Sequence, residues 1–509
     1  MSKSDSTTSI ILKKSLTVSF FIALSAPLGY VMRLIYSRTL SVELFGLFYA
    51  LIGFIDLWVP FQDWGTGFSV SYYAPKLQRS KNYQTIWLMF VYSLSLRLVA
   101  STTLALIIIW NSNWLANHYF KVAYAENLLY IFSLYLLVSG IAVAFKQLFI
   151  GLQKESYYAS AEPLRLFLIV TGSCAAIFLN KEGIITYSLI LAAVSGLIAL
   201  YYWFLLYKFN HHFFLPIIWK AMILRKLATF SWSISFSTII YLFTNQIGLV
   251  LLTFFHTVSD VGTYNIILAV ISLPTMFLSP LQSIFFPMVS EFMSEDKVKV
   301  RHLVENLLRI LPFITLYFNF FIFLFPQFTI GALFSNQWLS SATLPLMIIA
   351  VGYIFSILAS YLTKITDGMG LVKERVRLLI LIAITNLGVG AFLIYYYGII
   401  GLVVTNSLIY LMTSALLGSL IYSRIKFNIP VRLYLKYALF LGVIYLIKVA
   451  FQISPNSWYL YLSAGAIYTV LTTIFAYTQN IVEKNTLLIV MNSLKANVIN
   501  LKFRRQTAS

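Results

Sequence analysis

Residues 183–207 read GIITYSLILAAVSGLIALYYWFLLY, an apolar run between Lys181-Glu182 and Lys208 with no charged side chain inside it. As a helix rising about 1.5 Å per residue, such a run crosses the roughly 30 Å hydrocarbon core of a bilayer. A membrane strand would instead alternate apolar and polar residues, and this stretch does not. Runs of similar length lie near 15–37, 46–72, 85–110, 127–151 and 162–180. Others follow near 229–255, 263–289, 306–332, 341–363, 377–397, 399–423, 434–453 and 458–478. The pattern predicts an all-α integral membrane protein with about fourteen spans. Asn180-Lys181-Glu182-Gly183 and Tyr395-Tyr396-Tyr397-Gly398 are natural turns between antiparallel spans.

The composition agrees. Of 509 residues, 60% are hydrophobic and only 10% charged, with a mean hydropathy of +0.85. Soluble domains carry roughly a quarter charged residues, so this chain cannot cover a water-facing surface. In lipid the backbone must satisfy itself, and the continuous apolar runs select helices over a barrel. A net charge of +20 would suggest nucleic acid on a soluble protein. Here the basic residues sit in the joints, which sets a nucleic-acid partner aside. One set of joints holds Lys76, Arg79 and Lys81; Lys154; Lys208, Lys220, Arg225 and Lys226; Lys297, Lys299 and Arg301; Lys373, Arg375 and Arg377; and Arg424, Lys426 and Arg432. Both tails share that side, with Lys3, Lys13, Lys14, Lys484, Lys495, Lys502, Arg504 and Arg505. The other side shows little beyond Arg38, Lys121 and Lys181. The asymmetry predicts that the basic side and both termini face the cytoplasm, in a cytoplasmic (inner) membrane. The basic tail is expected to lie on anionic headgroups of the membrane lipids. Lys13-Lys14 and the run to Met32 have the flavour of a signal peptide. The run is long for one and lacks a small-residue cleavage site, so it reads as a retained first span.

Metal and redox chemistry find little material. His118, His211, His212, His256 and His302 fall in connecting segments, and the adjacent His211-His212 would not share a helix face. Cys174 is the single cysteine, so no internal disulfide forms. No metal site and no catalytic group are expected.

The chain echoes itself. Ser41-Val42-Glu43-Leu44-Phe45-Gly46-Leu47-Phe48-Tyr49 joins the first two spans, and Thr257-Val258-Ser259-Asp260-Val261-Gly262-Thr263-Tyr264-Asn265 joins the seventh and eighth. Gly183-Ile184-Ile185-Thr186 and Gly398-Ile399-Ile400-Gly401 repeat at nearly the same offset, and Lys154-Glu155 and Lys373-Glu374 fit with a small insertion. Such echoes are characteristic of transporter halves. The expected organisation is one six-span lobe over 1–210 and a second over 211–428. An appended pair follows over 429–480, then the cytoplasmic basic tail over 481–509. Six is even, so the lobes share an orientation and their pseudo-two-fold axis runs along the membrane normal, with a substrate cavity between them.

Three motifs carry a family resemblance. They are Ser37-Arg38-Thr39-Leu40-Ser41-Val42-Glu43-Leu44-Phe45-Gly46, then Asp63-Trp64-Gly65-Thr66-Gly67, then Val261-Gly262-Thr263-Tyr264 followed by Phe286-Pro287-Met288-Val289-Ser290. Together they resemble the polysaccharide (O-antigen type) flippases of the multidrug/oligosaccharidyl-lipid/polysaccharide exporter superfamily. That superfamily also holds multidrug/cation antiporters and the lipid II flippase. The resemblance implies transfer of a polyprenyl-diphosphate-linked oligosaccharide, an O-antigen or similar lipopolysaccharide or surface-polysaccharide unit, from the cytoplasmic to the outer leaflet by alternating access. It also implies coupling to a proton or sodium gradient without a bound cofactor, and a polysaccharide polymerase or ligase as partner machinery. One departure stands out. Family members often carry an acidic residue midway along span seven, where this chain has Asn245-Gln246.

The diphosphate and glycan must cross inside the protein, so cations and polar walls are wanted. Ionisable residues inside spans cost about 2.5–3.5 kcal/mol each on insertion scales and are functional candidates by default. Arg33 in span one reads either as a guanidinium for the diphosphate or as an arginine snorkelling to the interface. Arg97, near mid-depth in span three, either faces the cavity or pairs with Asp56 or Asp63 of span two. These two aspartates are the ion-coupling candidates. Lys146 and Lys364, nearly repeat-equivalent, would flank a cytoplasmic entrance or snorkel. Arg165 reads as interfacial. Asn245 and Gln246 bond a sugar or join helices, and Pro27, Pro60, Pro274 and Pro280 bend spans one, two and eight.

Competing functions are a multidrug/cation antiporter, which would draw on Asp56 and Asp63, and a membrane-embedded glycan polymerase or acyltransferase. The second would want a large external loop or a buried acid–base group; the longest loops here are short, and no histidine lies within a span. The intramembrane balance is basic and suits an anionic substrate.

Overall fold

A computed structural model describes residues 3–209, 227–229, 231–232, 235, 238–240, 244 and 246–481. The described chain is helical, with no strand among the described residues. In order the helices are α1 (Lys3–Thr39), α2 (Val42–Asp63), α3 (Thr66–Arg79), α4 (Tyr83–Trp110), α5 (Ala125–Gly151), α6 (Glu155–Phe178), α7 (Ile184–Phe209) and α8 (Ile247–Phe255). Then come α9 (Val258–Ile271), α10 (Leu273–Glu295), α11 (Lys297–Leu324), α12 (Pro326–Leu333), α13 (Leu339–Gly368), α14 (Val372–Ile425), α15 (Val431–Ala450) and α16 (Trp458–Thr478).

Eleven of the described helices are long and apolar enough to cross a membrane, against about fourteen expected spans, and breaks at two places bear on the difference. At 54 residues α14 would measure about 80 Å if straight, far beyond one bilayer. It breaks at Gly398, where φ is 55° and ψ −129°. A Cβ at Gly401 would lie 2.0 Å from the Leu393 carbonyl oxygen, so the two arms fold back on each other. That is the turn expected after Tyr395-Tyr396-Tyr397. The eighth span is interrupted at Ser272. Pro274 occupies the first turn of α10, where its missing N–H leaves no bond unmade. The seventh span, 229–255, is described only in part, and Asn245 and the 482–509 tail lie outside the described residues.

The second span ends in a turn built by its own sequence. Trp64 and Gly65 take left-handed conformations, with φ of 49° and 76°. Asp63 holds the turn: its carboxylate accepts the Gly65 N–H at 2.9 Å and the Gly67 N–H at 3.2 Å. Arg97 of α4 pairs with the same carboxylate and donates to Gln62 Oε1 at 3.0 Å. Arg97 and Asp63 side chains are only 4% and 11% exposed.

The joints α3/α4, α5/α6, α10/α11, α13/α14 and α14/α15 gather at one end of the bundle, carrying the basic residues. Ion pairs at this basic end link Arg375 to Asp367 (2.8 Å) and Arg301 to Glu305 (3.0 Å). The first and second halves meet along α2 and the turn after it, against Ser231, Ser235, Leu249, Val258 and Gly262. A Cβ on Gly46 would fall 1.9 Å from the Val258 carbonyl, one on Gly53 2.4 Å from Leu249, and one on Gly65 2.7 Å from the Ser231 carbonyl. At the basic end of this seam Ser69 hydrogen-bonds Ser231 at 2.7 Å and Trp64 stacks on Trp232. At the charge-poor end Arg38 donates to the carbonyls of Ala332 and Leu333, capping α12. Gln337 there donates to the Ser37 carbonyl, and Lys121 to those of Phe255 and His256.

Removing one partner of a buried ion pair leaves an uncompensated charge, at a cost of about 3–5 kcal/mol. Arg97→Met is therefore expected to destabilise the protein by about that amount, with part recovered in Arg97→Met/Asp63→Asn. Equilibrium unfolding in mixed detergent micelles checks this. Equal stabilities of wild type and Arg97→Met would show that the pair holds nothing.

Candidate functional site

The conspicuous polar space lies between the two halves, in two adjoining chambers. The larger, about 530 Å³, is bounded by α1 (Ser25, Gly29, Arg33), α2 (Tyr49, Asp56), α5 (Tyr135), α6 (Glu162, Arg165) and Ser272. Ser272, the joint between α9 and α10, thus faces the space directly. The second, about 300 Å³, shares Arg33, Tyr49, Ile52 and Asp56 with the first and is closed by Gln246, Tyr264, Asn265, Asn406 and Tyr410 of the second half. A third, about 170 Å³, opens inside the first half among α5, α6 and α7. It shares Tyr135, Glu162 and Arg165 with the larger chamber and adds Lys146, Tyr158, Ser195 and Tyr202.

Helix geometry explains these placements. Asp56 lies on the same α2 face as Tyr49 and Gly53, two turns and one turn away respectively. Arg33 stands one turn beyond Gly29 on α1, which faces Leu166 of α6. Glu162 and Arg165 are one turn apart on α6 and form a forked pair: Arg165 Nε and Nη2 donate to the two carboxylate oxygens at 3.2 and 2.7 Å. Asp56 has no hydrogen-bond or ion-pair partner among the described residues. The neutral wall is ordered by its own bonds. Asn406 Nδ2 donates to the Tyr264 hydroxyl at 2.6 Å and Asn265 Nδ2 to the Val261 carbonyl at 3.0 Å.

Of the residues singled out from sequence, Arg33, Asp56 and Gln246 meet at this cavity. Lys146 lies in the smaller chamber, while Lys364 of α13 is half-buried outside all three. The two lysines therefore share none of these three chambers. Arg97 and Asp63 lie apart from the chambers, bound to each other and to the α2/α3 turn. Arg165, expected at the interface, is a cavity residue instead. The sixth helix begins at Glu155, about two turns before the expected start of span five, which carries Arg165 deeper. Glu162 went unremarked because it stood at that supposed boundary, although a Glu and Arg three apart in an apolar helix are a usable signal. Asn406 and Tyr410 gave no signal, since each is unremarkable within its own span, and Tyr264 and Asn265 stood out only as part of the repeat and motif around Gly262.

A bundle of spanning helices with a polar cavity between two packed halves is a fold that solved membrane proteins share. The lipid II flippase MurJ in an inward closed conformation superposes with a TM-score of 0.70 at 13% identity, covering 91% of this chain and 99% of that one. An inward-facing multidrug resistance MATE family transporter of the MOP superfamily gives 0.63 at 14%, covering 81% and 98%. The fold is that of the MOP superfamily. Residues 11–293, more than half of the chain, match the family model described as polysaccharide biosynthesis protein, and the chain belongs to that family. An uncharacterized membrane protein of Methanocaldococcus jannaschii is 23% identical over 404 residues, 76% of this chain and 79% of its own length.

The Glu162–Arg165 pair differs from the Arg97–Asp63 pair in being partly exposed. Glu162 is 46% exposed and Arg165 27%, and pairs with that much solvent contribute less than about 1 kcal/mol. Glu162→Gln is expected to leave stability within about 1 kcal/mol of wild type, as measured by the same detergent unfolding. A loss as large as that of Arg97→Met would make the pair a structural strut.

Proposed function

We propose that this protein is a flippase that moves a polyprenyl-diphosphate-linked oligosaccharide, of the O-antigen or lipopolysaccharide kind, from the cytoplasmic to the outer leaflet of the cytoplasmic membrane. It is a carrier rather than an enzyme. The observation that bears the most weight is that Arg33 stands where the two chambers join, with Arg165 on the same side. A guanidinium in a space of reduced dielectric suits a diphosphate, which its planar fork can hold through two oxygens. Membership of a polysaccharide biosynthesis family supports the choice of substrate. The isoprenoid tail stays in the surrounding lipids while the head crosses.

With the basic end and both termini in the cytoplasm, the contacts around Gly46, Arg38 and Gln337 close the outer side. Rocking of the two lobes would release that seam and deliver the head outward. Asp56, unpartnered on the cavity wall, is the natural carrier of a coupling proton or sodium ion. A polysaccharide polymerase or ligase would take the product.

A second reading, a multidrug/cation antiporter, is favoured by the same free carboxylate and by the MATE-like fold. Purified protein in proteoliposomes, given a short polyprenyl-diphosphate oligosaccharide and a cationic dye in parallel, separates the two. Glycolipid exchange without dye transport is expected, reduced at least about tenfold in Arg33→Ala, a loss of about 1.4 kcal/mol, and partly kept in Arg33→Lys. Dye transport alone would move the assignment to the antiporter.

A further inference from the structure

The two faces of the cavity differ in kind. The ionisable groups, Arg33, Asp56, Glu162 and Arg165, all stand on the first half. The second half presents only neutral groups to the 300 Å³ chamber, the polar ones being Gln246, Tyr264, Asn265, Asn406 and Tyr410. Building on the flippase reading above, we infer that this amide-and-tyrosine wall is a glycan subsite that holds the sugar next to the diphosphate, and that it selects a neutral sugar.

The wall has the chemistry a sugar needs. Each amide offers an acceptor oxygen and donor hydrogens, and each tyrosine a hydroxyl beside an apolar ring face. The amides are positioned in advance. Asn406 is fixed through its Nδ2 by Tyr264, and Asn265 through its own by the preceding helical turn. No donor among the described residues reaches the Oδ1 of either, which leaves two oriented acceptors for sugar hydroxyls. Asn265 and Tyr264 are 7% and 6% exposed, so a polar ligand there replaces water with fixed partners rather than lying on an open surface.

Proximity and charge set the selectivity. Arg33 and Asp56 border both chambers, so a diphosphate gripped by Arg33 brings its attached sugar against the neutral wall. A uronic acid in that position would find no cation on the second half's wall and would face the Asp56 carboxylate. An acidic sugar is thereby rejected by an uncompensated buried charge, while a neutral one loses nothing.

The test uses the full chain in lipid nanodiscs with three probes: polyprenyl diphosphate, the same lipid carrying one N-acetylhexosamine, and the same lipid carrying one hexuronic acid. The neutral sugar is expected to raise affinity about tenfold over the bare diphosphate and the uronic acid to lower it. In Asn406→Leu, and separately in Gln246→Leu, the ratio of sugar-bearing to bare affinity should fall from about ten to about one. Arg33→Ala should weaken all three probes while keeping the ratio. Equal wild-type affinity for the bare and neutral-sugar lipids, or a ratio unchanged in both variants, would overturn the glycan subsite while leaving the flippase reading standing. Binding of none of the three lipids would remove that reading and the subsite with it.

Discussion

A charge inside a helical bundle in lipid must meet either an opposite charge or water, because leaving it bare in hydrocarbon costs several kcal/mol. In the first half, that requirement sorts the ionisable side chains into two groups. Arg97 and Asp63 meet each other, and the carboxylate also takes two backbone N–H groups of the α2/α3 turn. The pair thus converts two expensive charges into a clasp at a left-handed break. Glu162 and Arg165 also meet each other, but as a partly exposed pair, and with Arg33 and Asp56 they line the cavity. Placing the fixed pair outside that space leaves the cavity charges to interact with whatever enters.

The seam between the halves obeys a second constraint, closeness of backbones. Gly46 and Gly53 on α2, and Gly65 in the turn after it, are each opposed by atoms of Val258, Leu249 or Ser231 that leave no room for a Cβ. The two segments that echo each other in sequence, around Gly46 and Gly262, are also the two that touch: a Cβ on Gly262 would lie 2.9 Å from the Gly46 Cα. Small residues allow this packing without a hydrophobic driving force, which lipid does not supply. Because such contacts are dispersive, they can be exchanged for another arrangement of the halves at modest cost. The few hydrogen bonds across the charge-poor end, from Arg38, Gln337 and Lys121 to main-chain carbonyls, are likewise of a kind that water can replace.

The sequence by itself determined the class of structure. Lipid forbids an unsatisfied backbone, so apolar runs of spanning length such as 183–207 can only be helices. Turn residues marked real ends: Asp63-Trp64-Gly65 breaks α2, and Gly398 folds α14 back. Charge in the joints ordered the ends of the bundle. Individual ionisable residues were legible as candidates, since their cost in lipid is the same whatever they face. What each one faces was decided only by the tertiary structure. Depth along a helix depends on where the helix starts, and α6 starting at Glu155 carried Arg165 from the interface into the cavity. Rotation about the helix axis depends on neighbours distant in the chain, which turned Arg97 to Asp63 and left Asp56 in the open. The neutral wall of Asn265, Asn406, Tyr264 and Tyr410 was invisible for the same reason. Such residues are cheap enough to occur anywhere in a span, and only the packing of helices far apart in sequence gathers them on one surface.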